Sequence, residues 1–87
     1  MSTMGADLEQ LAQLQAAFAR QSQTLDELVS SMRNQLGNTT WHGPAAERFR
    51  GAWSGEYEPA LRRLQAGLQE AGSEVGRRRE ALLRAAT

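Results

Sequence analysis

The sequence predicts an all-α protein, an antiparallel helix-turn-helix hairpin of which two copies or relatives pair into a four-helix bundle. Three observations lead there. Apolar residues recur at steps of three and four through two long segments. Between them lies a short run of turn-forming residues, Gly37-Asn38-Thr39-Thr40-Trp41-His42-Gly43-Pro44. The chain has 87 residues and no cysteine, so it is one small domain whose two helices cannot close a core by themselves.

The first helix is expected from about residue 7 to residue 36. Asp7 suits the N-cap, and Gln10 stands three residues on to complete a capping box. Leu11, Phe18, Leu25 and Met32 repeat every seven residues. Leu14 and Leu28 make a second column, and Leu8, Val29 and Leu36 a third. Neither Gly nor Pro interrupts residues 6–36. A helix of roughly 30 residues is about 45 Å long. Gly37 followed by Asn38 is the expected stop. Gln15, Gln21 and Ser22 interrupt the apolar columns near the middle. Such a polar gap either fixes the register of the seam or leaves it wet.

The bend spans 37–43, and the second helix is expected over about 44–84. Pro44 fits the first helical position, with Gly43 as cap. Apolar positions then run through Ala45, Phe49, Trp53, Tyr57, Leu61, Leu64, Leu68, Ala71, Val75 and Leu82. From Tyr57 onward the steps alternate between four and three, a heptad seam. From Phe49 to Leu61 every step is four, so the stripe drifts around the helix. Pro59 lies in that drift; it lacks a backbone donor and its ring crowds the carbonyl of Gly55. A kink near Pro59 is expected within one helix, with a true break as the alternative. Gly67, Gly72 and Gly76 either admit a close helix approach or soften the last third. With Arg77, Arg78 and Arg79 following, the expectation is a frayed, solvated end, with Ala81 to Thr87 either still helical or not, but poorly anchored.

Ten basic and ten acidic residues cancel. No global field then draws the chain to nucleic acid or to a membrane, and neither is expected as a partner. Without cysteine there is no disulfide and no thiolate site. The first residues show no basic start and no apolar run, and nothing approaches the roughly 20 apolar residues of a membrane span. Export, if it occurs, is expected by a route that reads no N-terminal signal.

With Trp41-His42-Gly43 between two helical halves, and Ala45, Ala46, Phe49 and Trp53 at their spacings beyond it, the chain resembles the Trp-X-Gly (WXG) family. These are small type VII secretion proteins, relatives of the mycobacterial early secreted antigen. The resemblance implies a hairpin that dimerises with itself or with a paired family member. It also implies export, folded, through a secretion ATPase. In the family the bend of one chain lies beside the C-terminal end of its partner, where a Tyr-x-x-x-Asp/Glu motif follows. This chain departs from that pattern. Its one tyrosine, Tyr57, lies early in the second helix, and Gly76 stands where the motif would place tyrosine ahead of Glu80. Either a different partner supplies that half of the signal, which favours a heterodimer, or this chain is not itself a full export substrate.

The expected pairing surface within the hairpin or dimer is Leu11, Leu14, Phe18, Leu25, Leu28 and Met32, with Phe49, Trp53, Leu61, Leu64, Leu68 and Val75. Trp41 and Gly43 are expected as a structural cap, a surface read by the secretion machine, or both. His42, the one histidine, is expected to face solvent. Glu47, Glu56 and Glu58 are expected to form surface ion pairs with Arg48 and Arg50. No catalytic, metal or cofactor pattern is present, so the chain is not expected to be an enzyme. The rival reading is a cytoplasmic coiled-coil adaptor unrelated to secretion.

Overall fold

The computed structural model describes residues 6–86. Met1–Gly5 and Thr87, including the N-terminal residues considered above for a signal, lie outside them. The described chain is helical apart from its first two residues and the bend. Helix α1 runs Leu8–Asn38, α2 runs Pro44–Ala52, and α3 runs Glu58–Ala86. A π-helical turn, Trp53–Tyr57, joins α2 to α3 without interrupting the rod.

The Asp7 carboxylate accepts a hydrogen bond from the Gln10 backbone N–H at 3.0 Å, so α1 begins where its cap is written. Its end is not where glycine suggested. Gly37 and Asn38 stay helical and Thr39 is the extended C-cap. The reason lies across the bend, where Arg50 satisfies the terminal carbonyls that a left-handed glycine would otherwise serve.

The π-turn sits immediately before Pro59. Trp53 donates its backbone N–H to the carbonyls of Arg50 and Phe49, and Glu58 donates to Trp53. That last bond spans five residues rather than four. One extra residue in the turn takes the helix around the carbonyl that the Pro59 ring would strike. It also absorbs the drift of the four-residue steps from Phe49 to Leu61.

The rods lie antiparallel, in an envelope of 66 × 18 × 16 Å. Arg62 bonds Asp26 at 2.7 Å, and the Arg33 guanidinium grips both carboxylate oxygens of Glu58. At the far end the Arg79 side chain donates to the Leu8 carbonyl at 3.1 Å. Between these ties the helices touch closely. A methyl group on Gly72 would stand 3.2 Å from the Phe18 Cβ, and one on Gly76 would strike the Gln15 amide. Of the two readings of these glycines, close helix approach is the one found at Gly72 and Gly76, and α3 stays helical to Ala86.

The layer has two unlike faces. At about 100° per residue, Gln15, Ser22, Asp26 and Arg33 fall on one flank of α1, and Glu58, Arg62, Gln65 and Gln69 on the matching flank of α3. An open groove of about 530 Å³ runs between them, lined by Gln15, Ser22, Asp26, Gln65, Gln69 and Ser73. The other flank carries Leu14, Leu25, Leu28 and Met32 on α1 and Leu61, Leu64 and Val75 on α3, while Leu68 reaches the groove. That flank is partly covered: Leu25, Met32, Leu61 and Val75 are half-buried, and Leu14, Leu28 and Leu64 are exposed. Among the described residues the buried hydrophobics are Val29 and Ala46, while Leu14, Leu28, Trp41, Phe49, Tyr57 and Leu64 are 40–53% exposed.

Candidate functional site

The bend is built around one arginine. Arg50, in α2, donates to the carbonyls of Trp41 at 2.7 Å, Thr39 at 3.0 Å and Leu36 at 3.3 Å. Thr39 adds its own hydroxyl to the Gln35 carbonyl at 2.6 Å. These bonds close the open end of α1 and hold the extended strand of the bend against α2. The Arg50 guanidinium also lies 6.0 Å from the centre of the Trp41 ring, within cation–π range. Phe49 meets the same ring at 5.9 Å, tilted by 51°. Trp41 and Phe49 thus form an aromatic pair at the tip of the hairpin, both substantially exposed.

Gly43 is required by its backbone. Its φ of 109° lies where L side chains are strained, and its ψ of 177° turns the chain directly into Pro44 at the first helical position. Its carbonyl accepts the first bond of α2, from the Glu47 N–H at 3.0 Å. Tryptophan and glycine of the tripeptide therefore do different work: Gly43 makes the corner, and Trp41 is displayed on it. His42, between them, is exposed.

Below the tip, Glu58 gathers a second knot. Besides Arg33 it accepts from the Trp53 indole N–H at 3.2 Å across the π-turn. The Arg33 hydrogen bonds, more than any other influence, hold the Glu58 carboxyl below its ordinary value of 4.5. Arg33 and Glu58 with Arg50, Trp53 and Leu36 line a shallow cleft of about 410 Å³. The expected surface pairing of Glu58 and Arg50 with close neighbours in sequence is corrected: both reach instead toward α1 or the bend.

Of the residues expected on the pairing surface, Leu11, Phe18, Leu25, Met32, Trp53, Leu61, Leu68 and Val75 are half-buried, while Leu14, Leu28, Phe49 and Leu64 are exposed. Arg50 and Arg33 were not singled out from the sequence as holding the bend. Their roles depend on carbonyls and a carboxylate that only chain reversal brings near. The signal that could have found Arg50 is a long cation within two turns after the bend, opposite a helix end whose last turn has no basic residue. Among the described residues no helix is long and apolar enough to cross a membrane.

An aromatic tip and a glycine corner at the bend of two long antiparallel helices define a small all-α hairpin protein. The family model described as "Proteins of 100 residues with WXG" matches residues 3–85, and the chain belongs to that WXG100 family. The family is associated with type VII secretion; its members are small helical proteins, not known enzymes, that typically dimerise with WXG partners. No curated protein and no solved structure gives a significant match.

Proposed function

We propose that this chain is a type VII secretion protein that works by pairing. Its apolar face docks on a second hairpin, its own copy or a paired WXG protein, to complete a four-helix bundle. In that bundle it acts as secreted substrate or co-secretion partner. The Trp41–Gly43 tip forms half of a composite surface for the secretion ATPase. The observation that carries the reading is the exposure of Leu14, Leu28 and Leu64 along one flank of a folded hairpin. Burying a large apolar side chain contributes about 1.5–3 kcal/mol before association costs. Covering such a face favours assembly into a bundle.

The mass of the purified chain by light scattering, alone and with the product of a neighbouring family gene, tests the pairing. A helical monomer in both samples would remove it. Trp41→Ala tests the tip: the assembly should persist while export falls, and unaltered secretion would exclude a signal role. A chain that pairs but is never exported would point to the cytoplasmic adaptor.

A further inference from the structure

We infer that the polar groove between α1 and α3 is a docking site for an extended, uncharged stretch of another polypeptide, held through its main chain by Gln15, Ser22, Gln69 and Ser73. The site lies on the flank away from Leu14, Leu28 and Leu64, so it is independent of the pairing reading above.

The pointer to a ligand is Ser22. Its side chain lies in the groove wall and is only 4% exposed. Its hydroxyl makes no hydrogen bond to another described residue, whereas Thr24, on the same helix, donates back to the Arg20 carbonyl at 3.0 Å. Among the described residues no polar side-chain atom is sealed from solvent without a partner. The Ser22 Oγ therefore opens onto the groove. A group so nearly buried is costly to leave unsatisfied. Gln15, Gln69 and Ser73 likewise make no hydrogen bond among the described residues. The Gln15 amide keeps its place because residue 76 is glycine; a Cβ there would stand 2.7 Å from its Nε2.

What lines the groove sets the chemistry of its occupant. Asp26 and Arg62 neutralise each other at 2.7 Å, and the remaining polar groups are amides and hydroxyls. A charged ligand meets no opposite charge left over, so the complement is neutral and rich in hydrogen bonds. A glutamine amide offers one carbonyl and an N–H pair, the match of a peptide group. Ala19 and Leu68 add a short aliphatic strip that suits small side chains. The groove has no aromatic residue on which a sugar ring could stack.

Shape selects an extended chain over a helix. The contact of Gly72 with Phe18 brings the rods together, so the valley between them is narrow at its floor, where Ser22 lies. A docking helix, about 10–12 Å across, would rest on the rims with its own backbone bonds already made. An extended chain is thinner and carries its peptide groups unpaired. Gln15 and Ser22 lie two helical turns apart, ~10.5 Å, which about three residues of extended chain span.

The test is an NMR titration of the isotope-labelled full chain with the capped peptide acetyl-Ala-Ser-Ala-Ser-Ala-Ser-amide, taken to millimolar concentration. The side-chain amide signals of Gln15 and Gln69 and the backbone signals of Ser22 and Gly72 should shift together and saturate. Light-scattering mass should show no change of assembly on adding peptide. Ser22→Ala should weaken binding about three- to tenfold, the worth of one hydrogen bond, while the melting temperature holds or rises. A Ser22→Ala chain that melts lower and binds the peptide as before would overturn the inference, because Ser22 would then be structural. Absence of shifts at millimolar peptide, or shifts confined to the leucine flank or to residues 77–84, would overturn it too. So would cellotetraose moving the same signals where the peptide does not, which would make the groove a glycan site.

Discussion

Arg50 shows how one side chain can finish a helix that its own sequence leaves open. Three backbone carbonyls accept from its guanidinium, and the Trp41 ring lies beneath it. Hydrogen bonds from a charged donor contribute about 1.5–3 kcal/mol in favourable settings, less where solvent competes. Arg50→Ala should therefore cost about 2 kcal/mol in urea unfolding and change Trp41 emission. A variant of unchanged stability would show that water serves those carbonyls equally well. Glu58 gives a pH-dependent counterpart. Its folded carboxyl is held below its unfolded value, chiefly by the Arg33 hydrogen bonds. Its contribution is thus fully present above the ordinary carboxylate range and is lost as pH falls through the lowered folded value. The melting temperature of Glu58→Gln should lie below that of the parent at neutral pH, and the gap should close on acidification below 4.5. A gap constant with pH would mean that the pair does not couple to folding.

Helices impose a different logic, in which the same residue type serves opposite ends. Glycine at position 51 faces open space within a regular α-helix, whereas Gly72 lies under Phe18. Gly51→Ala should accordingly stabilise the fold by up to ~1 kcal/mol, the propensity difference. Gly72→Leu should force α1 and α3 apart and lower the melting temperature. If Gly72→Leu were neutral in thermal melts, the close approach would not be a determinant of packing. The π-turn belongs to this scale as well. Pro59 announced an irregularity and Gly55 a yielding backbone. The irregularity takes the form of one inserted residue at Trp53–Tyr57, and the helix continues beyond it. That insertion lets Trp53 reach Glu58 while Tyr57 faces outward.

At the scale of the molecule, sidedness is the governing property. Ion pairs and glutamines collect on one face of the hairpin and most of the leucines on the other, so the hairpin buries little apolar surface by itself. Leu25→Asp, which sets a charge in the middle of the apolar seam, should dissociate the assembly and lower helicity together. Light scattering and circular dichroism on the same sample would show this; an unchanged mass would remove Leu25 from the contact. On the pairing proposed above, folding and association would be linked, because anything that binds only the folded hairpin stabilises it by mass action.

The two-rod layout, the caps at Asp7 and Gly43, and the seven-residue seams follow from the sequence alone, because each is set by residues within one or two turns of one another. The family tripeptide is equally local, since a corner needs glycine wherever it occurs. What only the tertiary structure decided is how the two rods meet. Gly72 against Phe18, Arg33 against Glu58, and Arg50 against the end of α1 join residues 14 to 54 positions apart. No periodicity within a single segment encodes those distances; chain reversal creates them, and with them the division into a wet face and a greasy one.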